Sequence, residues 1–170
     1  MRPLPSFLIL ALLAVSAPGW SQLPNPGVYC ATPAGLLQLS ELPLPGVRTL
    51  SWGEWFASDN RFAMHYTWDG ATSRAQISEH RPTFRVNLAY QPDRSLRIIQ
   101  IVKLEQKDSY RKTQLRISHD VPTQFRAGVA VSLTRGMDGE ILVQPDADLS
   151  PGEYLLSLGP LVSQYDFSVR

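Results

Sequence analysis

Cysteine is nearly absent from this chain: Cys30 is the only one in 170 residues. An intrachain disulfide is thereby excluded, so the fold has to be held by packing, and Cys30 itself reads as a small buried hydrophobe in a strand. An excess of charge of one sign is also lacking, with 16 Lys and Arg against 15 Asp and Glu. That balance gives no electrostatic case for nucleic acid or an anionic membrane surface. No apolar run approaches the roughly 20 residues needed to cross a bilayer as a helix. Glycines lie singly at turns, which leaves no loop to cradle a phosphate. The three histidines, His65, His80 and His119, are far apart and lack the short pair spacings by which one strand or helix supplies two metal ligands.

What is present begins with a leader. Met1-Arg2-Pro3 precedes an apolar run from Phe7 to Val15, and the small and polar residues Ser16 to Gln22 follow. That is the three-part layout of a secretory signal. Cleavage after Ser21 is preferred, and cleavage after Ala17 is the alternative. A lipid anchor needs a cysteine behind small residues, whereas Cys30 follows Val28-Tyr29. Residues 1–21 are therefore read as a signal peptide, 22–60 as a hairpin and irregular segment packed on the core, and 61–170 as the main domain. The exported part is expected to be soluble, secreted or periplasmic.

Past the leader the dominant period is two. Val28 to Ala31 and Leu36 to Leu39 flank a Pro33-Ala34-Gly35 turn and predict a hairpin. Residues 41–50, with Pro43, Pro45 and Gly46, read as a connection. Ser51-Trp52-Gly53-Glu54 has capping-box spacing for a helix of one or two turns at most. Phe62, Met64, Tyr66 and Trp68 alternate with polar residues up to Asp69-Gly70, and Phe84, Val86, Leu88 and Tyr90 do the same. Leu96 to Leu104 carries apolar residues of both parities, as a strand covered on both faces would. Tyr110 to Ser118 alternates more weakly, behind a polar turn at Glu105 to Ser109. Phe125 to Leu133 reads as one nine-residue strand in a hairpin with Ile141 to Val143. Glu153 to Leu158 and Gln164 to Val169 form the last pair.

One motif bears on topology. Leu149-Ser150-Pro151-Gly152-Glu153-Tyr154 resembles the tyrosine corner of Greek-key sandwiches, in which Pro151 and Gly152 arch the chain between sheets and the Tyr154 hydroxyl reaches back to an upstream backbone group. The expected fold class is all-β: an immunoglobulin-like Greek-key β-sandwich with an N-terminal β-hairpin extension. A wider set of pieces is similar to a group of bacterial secreted proteins of unassigned activity. These are Gly27-Val28-Tyr29, Arg81-Pro82-Thr83-Phe84, Val102-Lys103-Leu104, Asp108-Ser109-Tyr110-Arg111, Pro151-Gly152-Glu153-Tyr154 and Tyr165-Asp166-Phe167-Ser168-Val169. The resemblance implies the fold and export, and it carries no functional residues.

Catalytic chemistry finds no motif. His119-Asp120 reads as a turn, and no Gly-x-Ser-x-Gly elbow is present. Glu54, Asp59, Asp69 and Glu79 are scattered acids, and Asp138-Gly139 and Asp146-Ala147-Asp148 lack the ligand order of a calcium loop. No catalytic residue, metal ligand or cofactor is assigned. Trp52 and Trp55, with His65, are the candidate binding residues, because exposed aromatic rings stack on sugars or anchor protein partners. Arg85, Arg97 and Arg116 read as a solvated sheet face, with an Arg stripe for an acidic partner as the alternative. The expectation is a non-catalytic exported module that binds a protein or glycan. Its rivals are a hydrolase assembled from loops around His65 and His119, and a purely structural envelope component.

Overall fold

Residues 25–49, 63–87, 99–116, 124–125, 127–136, 139–159 and 163–170 are described by a computed structural model, and every regular element among them is a strand. In chain order these are β1 (Gly27–Thr32), β2 (Gly35–Leu39), β3 (Gly46–Thr49), β4 (Ala63–Asp69), β5 (Gln76–Ile77), β6 (Phe84–Asn87), β7 (Gln100–Lys103) and β8 (Glu105–Gln106). They continue with β9 (Tyr110–Arg116), β10 (Gln124–Phe125), β11 (Gly128–Val129), β12 (Val131–Arg135), β13 (Ile141–Pro145), β14 (Gly152–Ser157) and β15 (Gln164–Val169).

Three sheets result. The first has the order β12-β13-β6-β1-β2, the middle one β11-β7-β14-β15-β5, and the third β10-β9-β4-β3 with β8 also paired to β9. All pairings are antiparallel except that of β15 with β5. The chain is thus an all-β sandwich, with a third sheet beyond the two layers expected. The predicted N-terminal hairpin forms, with Thr32 opposite Gly35. Its first strand lies inside the first sheet, between β2 and β6.

The middle sheet is buried on both faces, and its sequence shows how. Tyr154, Leu156, Phe167 and Val169 turn towards the first sheet and join Val28, Cys30, Phe84, Val86, Ile141 and Val143 in one core. Leu155 and Val102 turn the opposite way and meet Tyr66, Trp68, Leu115 and Phe125 of the third sheet in a second core. Consecutive residues Ile101 and Val102 therefore enter different cores, which is why that strand carries apolar residues of both parities. Trp68 is core, as its shared parity with Tyr66 predicted.

The polar residues that alternate along β14 and β15 are buried too. Glu153, Asp166 and Ser168 face the third sheet, where Arg111 of β9 meets them. Its Nη1 bonds Asp166 Oδ2 and lies 3.9 Å from Glu153 Oε2, while its Nε donates to the Gly70 carbonyl at 3.0 Å. Glu153 accepts from the Ser73 amide at 2.7 Å, the Ser168 hydroxyl at 2.8 Å and Arg170 Nη2 at 3.1 Å. Two cations and two carboxylates balance across the layer, as buried charge requires.

Several expectations need correction. The nine-residue strand from Phe125 to Leu133 is three short strands, β10, β11 and β12, one at the edge of each sheet. Small residues at the crossings, Ala127, Gly128 and Ala130, let the chain step from sheet to sheet, a break that unbroken alternation hides. The connection at 41–50 contains β3, an edge strand, where the preceding Pro45 removes no ladder bond. Part of the expected polar turn at 105–109 is β8, paired to β9. Arg85 is not solvated: it is 3% exposed and its Nη2 bonds Glu140 Oε1 at 2.6 Å. The side chains of Arg97 and Arg116, residues 88–90, and the short helix expected from Ser51 lie outside the described residues.

The arch before β14 carries the chain from the first sheet to the middle one. There the buried Tyr154 hydroxyl donates to the Ser150 carbonyl at 2.6 Å, and Lys103 lies over the Tyr154 ring, its Nζ 2.6 Å from Ser150 Oγ. Gly152 holds φ at 153°, and a Cβ there would stand 3.3 Å from Lys103 Cε. Replacing Tyr154→Phe removes the hydroxyl that bonds the Ser150 carbonyl and also lies 3.3 Å from Ser150 Oγ. The expected cost is about 1 kcal/mol, read as a lower urea midpoint at unchanged slope.

Candidate functional site

Two of the crossovers between the middle and third sheets flank a groove. The chain passes from β7 to β8 at Leu104, and Ala127 leads into β11 after β10. Along β9, Arg111 and Lys112 are opposite β8, and Leu115 and Arg116 opposite β10, so Thr113 and Gln114 lie at the gap between the two partner strands. The resulting groove of about 380 Å³ is lined by His65, Lys103, Glu105, Lys112, Thr113, Gln114 and Ala127.

Register explains the lining. His65 and Gln114 are cross-strand partners, as are Thr67 and Lys112, so they share the face of the third sheet turned away from Tyr66 and Trp68. Glu105 is held on one rim by Lys107 at 2.6 Å and Lys112 at 3.2 Å. The hydrogen bond from Lys107 leads in holding the Glu105 carboxyl below its usual range, with Lys112 adding to it. Lys107 is raised in turn by the same contact. Both groups stay charged at neutral pH, so Glu105 is suited to positioning a ligand and is a poor proton donor.

Of the candidate binding residues, His65 lines this groove, half-buried, whereas Trp52 and Trp55 lie outside the described residues. His80 is exposed and its Nδ1 is 2.9 Å from the Leu149 carbonyl, on a different part of the surface. His119, Asp120, Glu54, Asp59 and Asp138 lie outside the described residues. Asp146 accepts the Ser132 hydroxyl at 2.6 Å, which ties the chain after β13 to β12. Among the described residues no group of three or more His, Cys, Asp or Glu could hold a metal ion.

Sequence reasoning missed Lys103, Glu105 and Lys112, though a signal was present. The chain has only three lysines, at 103, 107 and 112, and all three stand in or beside this groove. Arginine supplies every other cation, including the buried ones at 85 and 111. Planar guanidinium suits buried pairing, while the compact, strongly hydrated ammonium suits an open site.

Compared with known proteins, the chain matches no family model, no curated protein and no solved structure. Function therefore has to be argued from its own residues.

Cys30 is fully buried in the first core, and desolvation, with the Glu79 charge adding to it, pushes its thiol from 9.0 up to about 12. A raised value in the folded state means that stability is intact below pH 9. It is lost between about pH 9 and 12, as the unfolded thiol ionises and the folded one does not. Burial raises Tyr66 and Tyr165 as well, in the same sense. Urea midpoints measured across this window should fall, and the fall should be shallower in Cys30→Ala than in the unaltered protein.

Proposed function

We propose that the protein is an exported binding module and that the groove beside His65 is its ligand site. The observation that carries this reading is the convergence of His65, Lys112, Glu105 and Gln114 on one open concavity. Its volume is that of a ligand of one or two sugar rings. Lining charge comes from Lys112 against Glu105, with Lys107 on the rim, and the excess of positive charge favours a ligand that brings a negative group. An acidic saccharide of an envelope or extracellular polymer has that chemistry. The signal-like start of the chain supports export, and the resemblance to bacterial secreted proteins of unassigned activity agrees with it. Among the described residues no helix is long and apolar enough to cross a membrane.

A hydrolase would need an acid and a base poised for proton transfer. His65 and Glu105 do share the groove, but the lysines fix Glu105 as a carboxylate, which favours binding.

Titration with glucuronate, followed by backbone amide shifts, should move the resonances of Thr113 and Gln114, and glucose should move them less at equal concentration. Lys112→Met should weaken glucuronate at least tenfold. If neither sugar perturbs the groove, and the protein retains nothing from a panel of acidic envelope glycans, the proposal fails.

A further inference from the structure

The rim of the groove already holds a carboxylate on two ammonium groups. Glu105 of β8 stands opposite Lys112 of β9, and Lys107 follows on a turn that its own amide closes onto the Tyr110 carbonyl at 2.8 Å. Lys107 Nζ is 2.6 Å from Glu105 Oε1, and Lys112 Nζ is 3.2 Å from Glu105 Oε2. Each oxygen thus takes one ammonium, the first supplied by the turn and the second by the strand. The backbone thereby sets the two lysines around a flat, two-oxygen anion.

These contacts are open to water. The side chains of Glu105, Lys107 and Lys112 keep 55%, 45% and 23% of their surface exposed. Ion pairs exposed to this degree hold little, because water competes for both partners and two long side chains lose freedom. The pairs of Arg85 with Glu140 and of Arg111 with Asp166 are buried and have no such freedom to exchange. Asp108 also acts on Lys107, after Glu105.

We propose that Glu105 stands in the place of the ligand's own carboxylate, and that the ligand binds by taking over Lys107 and Lys112 while Glu105 turns out to solvent. The inference rests on the groove being the ligand site, and it goes further by naming the anion and the residue that selects for it. A carboxylate carried on a ring is held beside the lysines by that ring's contacts with His65, Thr113 and Gln114 along the groove. Glu105 has only its own two ion pairs to set against them. Were Glu105 to stay, two carboxylates would share the same cations within roughly 4 Å, which disfavours the charged form of both. An uncharged sugar brings nothing to exchange and leaves Glu105 where it is. Glu105 is therefore a built-in competitor that only an acid able to claim both lysines displaces.

The test compares glucuronate with glucuronamide, its uncharged amide of the same shape, by the backbone amide shifts of Thr113 and Gln114. In Glu105→Gln, glucuronate should bind about fivefold more tightly, the factor for removing one like charge at about 4 Å in water, while glucuronamide should bind as it does to the parent. Lys107→Met should weaken glucuronate by about the same factor and leave glucuronamide unchanged. A third measurement needs no substitution. The Glu105 carboxyl carbon should titrate at higher pH in the glucuronate-saturated protein than in the free one, because the lysines that hold it below its usual range have been taken. Weaker binding of both sugars to Glu105→Gln would make Glu105 a direct ligand contact and overturn the proposal. An unchanged affinity for glucuronate, or a Glu105 titration that does not move, would overturn it as well, and in each of these cases the groove remains the ligand site. If Thr113 and Gln114 respond to neither sugar in parent or variant, the groove reading fails and the proposal falls with it.

Discussion

The guanidinium of Arg111 is the point on which the packing of the middle sheet against the third depends. It projects from the third sheet into the middle one, bonds Asp166, stands beside Glu153 and takes the carbonyls of Asp69 and Gly70 as further partners. Asp166 and Glu153 belong to adjacent strands whose other faces line the apolar core shared with the first sheet. A slip of one residue in β14 or β15 would drive these carboxylates into that core and bring Tyr154 and Phe167 against Arg111. Buried ion pairs add little net stability relative to apolar packing, but leaving one partner alone is costly. The network therefore acts chiefly to fix register. Its Ser73 contact also pins the chain between β4 and β5 to the middle sheet.

Two crossovers along the same strand, β9, do the complementary work. Strands β10, β11 and β12 border all three sheets in turn, and the β7 to β8 step joins two of them. Where the chain leaves one sheet for another, the edge of β9 loses continuous pairing, and the groove forms there. The candidate site is thus a consequence of the same stepping that ties the layers together, which places polar side chains on a rigid frame.

Much of the fold was legible in the sequence because the period of two is imposed by backbone geometry. The hairpin at 27–39, the Trp68 side of β4, the doubly covered β7 and the last two strands all follow from it. The third layer was not legible. Alternation in Tyr165-Asp166-Phe167-Ser168-Val169 looks the same whether the polar side meets water or a charged residue on another sheet. Arg85 was misjudged for the same reason, since the sequence does not pair it with Glu140, 55 residues away. The Phe125 to Leu133 run deceived because alternation continues through a change of sheet. At the site, His65 could be singled out, but its neighbours come from β8, β9 and the β7 end, which only tertiary structure assembles. The clustering of all three lysines was the one sequence clue, and it was overshadowed by the arginines.

The most direct measurement is a double-mutant cycle in urea on Arg111→Met and Asp166→Asn. If the buried contact sets the register of the middle sheet against the third, the two substitutions should be strongly non-additive, with a coupling of about 2 kcal/mol or more. Additive effects, with a coupling below about 0.5 kcal/mol, would contradict the account.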